Sequence, residues 1–217
     1  MDGPGLTVLT VLWRGDFRGR RYNASWVRRL RNMVARYLGR PHRFVCLSNE
    51  PVDGVETVPL ESGLPGWWAK IELFRRDYGE RMLFLDLDTL VVDDLAPIAD
   101  YDLAFAPAPH SSLWEGEGLN LRPGIVDHFS SCCMAWDAGE GRQIWEDFTP
   151  NLMNEVRGDQ DAMGWIMGEV ETLPEQWFLK LKQCQAGPPP GVRIVASMPW
   201  KNDIAAKRFD WVAEVWQ

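Results

Sequence analysis

Two aspartates, Asp86 and Asp88, close the apolar run of MLFLDLDTLVV (82–92). At the end of a strand this spacing would set both carboxylates on one face, because strand side chains repeat every two residues. Leu87 would then point the other way, into the core. Two hard oxygen ligands so placed suit Mn²⁺ or Mg²⁺, which bind carboxylate, water and phosphate oxygen. Such a cation serves where a phosphorylated leaving group must depart. An Asp closing a strand is also an ordinary turn or cap residue. The apolar run and its mid-chain position favour a site, since open α/β sheets bind ligands just beyond the carboxyl ends of their strands.

The elements that must position these carboxylates are legible in the hydrophobic pattern. LTVLTVLW (6–13), HRFVCLS (42–48), GVETVPL (54–60) and MLFLDLD (82–88) read as strands. Trp26, Val27, Leu30, Val34, Tyr37 and Leu38 recur at helical spacing over 22–38, and Gly39 ends that helix. A second helix is predicted over 67–78. This β-α-β-β-α-β alternation predicts an α/β fold with a mostly parallel central sheet flanked by helices, in one domain spanning 1–217. Further along, DLAFAPA (102–108), SSCCMAW (130–136) and RIVAS (193–197) read as strands. Helices are predicted over 141–153, 159–168 and 205–216. The segment 110–128, rich in Gly and polar residues and carrying Trp114, reads as a loop able to close over a site.

With 217 residues the chain can bury a sizeable core. Twelve Trp allow both core filling and a cleft lined by flat rings. A net charge of −8 argues against a nucleic-acid partner. Residues 1–43 nevertheless carry ten Arg against Asp2 and Asp16 alone. That run reads as a solvated helix face, with an anionic ligand or peripheral membrane contact as the functional alternatives. No apolar run is long enough to span a bilayer, and the first residues lack a signal-peptide pattern. Cys46, Cys132, Cys133 and Cys184 show no metal spacing, so they read as buried thiols of a cytoplasmic protein.

Four segments, taken in order, resemble one family. They are RYNASWVRRLRNMVARYLGRPHRFVCLSN, GWWAKIELFRRDYGERMLFLDLDTLVVDDL, FSSCCMAWDAGE and RGDQDAMGWI. The set resembles a small GT-A-fold glycosyltransferase near the glycogenin-like, family 8 group. The resemblance implies transfer of a hexose from a nucleotide-diphosphate sugar, a UDP-sugar first, to a hydroxyl acceptor with retention of configuration. It implies that Asp86 and Asp88 hold Mn²⁺ (or Mg²⁺) against the donor diphosphate and that Lys70 contacts the donor. It carries Gln160 and Asp161 over as the residues approaching the transferred sugar, with Asp159 either in the site or an N-cap. Ser130 or Ser131 would contact sugar hydroxyls. Thr10, Trp13 and Tyr22 fall where relatives hold the nucleotide; Trp13 or Tyr22 would stack on the base, or pack in the core.

One segment departs from the family. Relatives end in a Phe-His-Gly-x-Pro-Lys-Pro-like stretch whose His completes the metal shell, and this chain reads RIVASMPWKND, with Ala196 at that position. Asp203 or a water would then supply a third ligand, and Lys201 would neutralise the diphosphate. The departure keeps open a non-catalytic nucleotide-sugar-binding module. A haloacid-dehalogenase-like phosphatase is the other alternative, with Asp86 as nucleophile and Asp88 as acid. Leu90 stands where its motifs want Thr or Val, and Met163 where they want Asp. No Gly-x-Ser-x-Gly elbow is present for a hydrolase triad.

Overall fold

The computed structural model describes residues 5–17, 22–108, 129–197 and 202–217. The loop with Trp114 and the expected diphosphate contact Lys201 lie outside these residues.

The central strands are apolar on both faces because both faces are covered. β1 (Leu6–Leu12) and β4 (Arg81–Leu85) lie side by side and parallel, Leu6 to Leu9 pairing with Arg81 to Phe84. Val8, Leu12, Leu83 and Leu85 enter one core, while Leu9, Met82 and Phe84 enter the other. Outside β1 come β2 (Arg43–Ser48) and β3 (Glu56–Pro59), both parallel. On the far side of β4 comes β7 (Phe129–Asp137), antiparallel, then β6 (Ala104–Pro107) and β8 (Glu171–Thr172). The resulting seven-stranded order is β3-β2-β1-β4-β7-β6-β8. The mostly parallel α/β sheet read from sequence is thus present, with β7 reversing direction inside it.

α1 (Ala24–Tyr37) covers the first core with Trp26, Val27, Leu30, Met33 and Val34. Its start is set by Asn23, whose side chain accepts from the Ser25 amide; such a cap contributes about 1 kcal/mol. The remaining helices are α2 (Ala96–Ala99), α3 (Arg142–Glu146), α4 (Leu152–Glu155), α5 (Asp159–Met167), α6 (Asn202–Arg208) and α7 (Asp210–Val215). The helices expected over 141–153 and 205–216 are each broken in two. Phe209, in extended conformation, separates α6 from α7.

Two other expectations change. The helix before β4 is a 3₁₀ helix, Gly66–Phe74, and is buried all round from Trp68 to Phe74, with no polar stripe. The strand expected over 82–88 stops at Leu85. Asp86 to Asp88 form a turn, closed by the Thr89 amide on the Asp86 carbonyl at 3.1 Å. β5 (Thr89–Val91) then joins a separate three-stranded sheet with β9 (Phe178–Lys180) and β10 (Ile194–Ala196), in the order β5-β10-β9. A strand-face argument therefore does not bring the two carboxylates together; the turn between two sheets does. Leu87 points into the core as expected.

Among the described residues, several Arg of the Arg-rich stretch are engaged within the fold. Arg14, Arg29, Arg40 and Arg43 pair with Glu50, Asp203, Asp100 and Glu56. Such exposed pairs contribute little to stability, and they agree with the solvated-face reading. No described helix is long and apolar enough to cross a membrane.

Candidate active site

The site is organised by Lys70. The 3₁₀ helix delivers its side chain under the carboxyl end of β4, where it is only 7% exposed. Its ammonium lies 3.1 Å from Asp86 Oδ2, 2.8 Å from Asp159 Oδ2 and 3.1 Å from Ser131 Oγ. Ser131 in turn donates to Asp159 Oδ2 at 2.8 Å. The three donors of the ammonium are thus matched by three acceptors. Burial works against the charge on Lys70, but Asp159 and Asp86 outweigh it and raise its pKa. The 3₁₀ helix itself is anchored by the buried Glu72, whose carboxylate accepts from the Glu61 and Ser62 amides and the Ser62 hydroxyl.

Asp86 extends the β4–β7 pairing by one step, its amide donating to the Cys132 carbonyl at 2.9 Å. Burial raises its pKa to about 6; Lys70 opposes the rise, while Asp88 and Asp159 add to it. One ammonium touches two carboxylates, and Asp88 adds its charge to that felt by Asp86, which leaves negative charge unmatched.

Asp88 is held differently. Tyr22 donates to its Oδ2 at 2.7 Å, and the Ser197 hydroxyl donates to its main-chain carbonyl at 2.9 Å. Ala196 pairs with Thr89 across β10 and β5, so position 196 lies beside the aspartate turn and carries no group that could ligate a cation. Asp203, an expected third ligand, is instead bound by Arg29 at 2.5 Å and the Trp216 indole at 2.9 Å. Among the described residues no group of three or more His, Cys, Asp or Glu side chains could hold a metal. Two carboxylates still fit a divalent cation that takes its other ligands from phosphate and water. Oδ1 of Asp86 and of Asp88 has no hydrogen bond among the described residues, and the local charge is negative.

The other expected residues divide. Asp159 is the first residue of α5 rather than its cap; Gly158 is the N-cap. A Cβ at Gly158 would press on the Trp67 indole at 3.2 Å, so the backbone just before Asp159 packs closely against that ring. Gln160 is half-buried, and its side chain makes no hydrogen bond to another described residue. Asp161 is 6% exposed, and Arg157 takes both its oxygens, Nε to Oδ2 at 2.7 Å and Nη2 to Oδ1 at 2.8 Å. Thr10 is likewise engaged within the fold. It is fully buried and donates to the Leu85 carbonyl at 2.9 Å, tying β1 to β4.

Ser131, not Ser130, joins the Lys70 cluster; the Ser130 hydroxyl accepts from the Cys132 amide at 3.4 Å. Trp13 lies past the end of β1, edge-on to Phe17 at 6.2 Å, and Phe17 meets Trp67 at 4.7 Å. Gly15 and Gly66 fold directly over these rings, where a Cβ would lie 2.1 Å from Trp13 and 2.0 Å from Phe17.

The sheet order, the aspartate turn at the carboxyl end of β4 and the antiparallel β7 define the GT-A glycosyltransferase fold. Among solved structures the chain is similar to the galactosyltransferase LgtC, determined with donor and acceptor sugar analogues, at a TM-score of 0.67 and 15% identity over 96% of this chain and 95% of that one. An active-site mutant of LgtC matches at 0.69 and 14% identity, with the same coverage. The apo form of the glycosyltransferase GlyE of Streptococcus pneumoniae TIGR4 matches at 0.63 and 13%, over 99% of this chain and 62% of that one. No family model and no curated protein matches the sequence.

Ser197 escaped the sequence reading, and Tyr22 was expected at the nucleotide rather than at Asp88. The contact of Tyr22 with Asp88 spans 66 residues and has no local signature. Ser197 follows Ala196, and its part depends on the β10–β5 register.

Proposed function

We propose that this chain is a glycosyltransferase of one domain that moves a hexose from a nucleotide-diphosphate sugar, a UDP-sugar first, to a hydroxyl acceptor with retention of configuration. The observation that carries the reading is the Lys70 cluster. A buried ammonium joins Asp86 of the aspartate turn to Asp159 at the start of α5, at the carboxyl end of β4 and the amino end of the antiparallel β7, in a fold shared with sugar transferases.

Asp86 and Asp88 would hold Mn²⁺ or Mg²⁺. When bound, such a cation offsets the charge of the departing diphosphate. The chain's own residues do the rest. Lys70 keeps Asp86 and Asp159 in place. Gln160 offers its amide to the hydroxyls of the transferred sugar. Asp161 acts through Arg157, fixing the start of α5, and this revises its expected contact with the sugar. Trp13, beside Phe17 and Trp67, offers a ring to the nucleotide base. In the reaction the bond from sugar C1 to the phosphate oxygen breaks, and a bond from C1 to the acceptor oxygen forms on the same face. The acceptor proton passes to the departing phosphate, so no separate base is required.

Ala196 favours a second reading, a module that binds a nucleotide sugar without turnover. The phosphatase reading loses its support, because Asp86 is engaged by Lys70 and the fold is that of sugar transferases. The test is calorimetric titration of UDP, GDP and their hexose conjugates with Mn²⁺ and then with EDTA. Mn²⁺-dependent binding of one conjugate supports the donor site, and slow hydrolysis of that conjugate separates enzyme from module. Absence of binding by every conjugate refutes both readings.

A further inference from the structure

Asp88 sits in a turn, outside any strand ladder, so its side chain must be oriented by something other than the sheet. The structure supplies that from a distant element. Tyr22 stands just before the Asn23 cap of α1, and its ring is edge-on to Trp26 at 4.9 Å. Trp26 is 2% exposed and leans on Trp216 at 5.0 Å. The phenol is thus backed by a packed aromatic row, and its hydroxyl donates 2.7 Å to Asp88 Oδ2. Ser197 pins the carbonyl of the same residue from just past the end of β10. One carboxylate oxygen is engaged and the other is left for a ligand.

We propose that Tyr22 is a positioning residue that holds the Asp88 carboxylate toward the cation and diphosphate, and that it does not serve as the stacking platform for the base. The inference rests on the donor reading above. Groups that orient a metal ligand through a hydrogen bond typically change metal affinity about 10- to 100-fold when removed. Tyr22→Phe keeps the ring and deletes only the hydroxyl; Tyr22→Ala deletes both.

The experiment measures Mn²⁺ affinity by electron paramagnetic resonance in the presence of UDP, and UDP affinity by calorimetry in EDTA. The expected result is that Tyr22→Phe weakens Mn²⁺ about tenfold or more and leaves UDP affinity in EDTA unchanged. A stacking role gives the opposite pattern: Tyr22→Phe behaves as wild type, and Tyr22→Ala loses UDP affinity even in EDTA. That pattern, or equal Mn²⁺ affinity in wild type and Tyr22→Phe, overturns the inference alone. A wild type that takes up no Mn²⁺ with UDP overturns the metal-dependent donor reading and this inference together.

Discussion

Replacing Lys70 by Met would keep the length of the side chain and remove its charge. Asp86 and Asp159 then face each other with no cation between them, and Ser131 loses a donor. Breaking a buried ion pair by removing one partner costs about 3–5 kcal/mol, because the remaining charge is desolvated and unmatched. Protonation offers relief. Lys70 holds down the pKa of Asp86, which stands at about 6 with the lysine present, so the variant's Asp86 must titrate higher still. Each unit of such a rise is worth about 1.4 kcal/mol. Lys70 itself does not titrate in this window: its folded pKa is raised above 10.5, so its contribution is complete at every lower pH. The stability lost in Lys70→Met should therefore be largest near about pH 7.5 and shrink by about 1 kcal/mol or more near about pH 5. Urea unfolding followed by Trp fluorescence at both pH values measures this. A loss below about 1 kcal/mol at the higher pH, or one identical at both, would refute the argument that Lys70 is the charge holding this cluster together.

Three further outcomes follow from the same geometry. The wild type should lose Mn²⁺-dependent UDP binding as the pH falls through about 6, because a protonated Asp86 is no cation ligand; calorimetry showing equal binding on both sides of that value would count against Asp86 as a ligand. Ala196→His places an imidazole beside the aspartate turn, in the strand paired with Thr89, and should raise Mn²⁺ affinity without nucleotide by about tenfold or more. Unchanged affinity would mean that position 196 does not face the cation. Thr10→Val removes the donor to the Leu85 carbonyl and should cost about 1–2 kcal/mol in thermal unfolding while leaving UDP affinity unchanged; a drop in UDP affinity would place Thr10 in the ligand set.

Much of the frame was legible from pattern. The apolar runs at 6–13, 42–48 and 82–88 became β1, β2 and β4, since strands covered on both faces must be apolar throughout. The amphipathic stripe of 22–38 became α1, bounded by Asn23. Short pieces were not legible. β8 has two residues and β9 three, too few for any period to appear. The 3₁₀ helix carries apolar residues on all sides, so its pattern did not separate it from an α-helix.

Within the site, residue types alone pointed to Asp86 and Asp88, because a paired carboxylate after an apolar strand is a local fact, whereas Lys70 entered only through the family resemblance. Which of Asp159, Gln160 and Asp161 reaches the centre was a question of helix phase and partners. Tertiary packing answered it by giving Asp159 to Lys70 and Asp161 to Arg157. Sequence by itself determined the strands, the first helix and the chemistry that an aspartate pair can do. Only the tertiary structure decided that a turn between two sheets aims that pair, that Tyr22 reaches it from another element, and that Thr10 donates to the Leu85 carbonyl. The physical reason is that apolar periodicity is written within a few residues, whereas a hydrogen bond across 66 or 75 positions exists only once the sheets and α1 have packed.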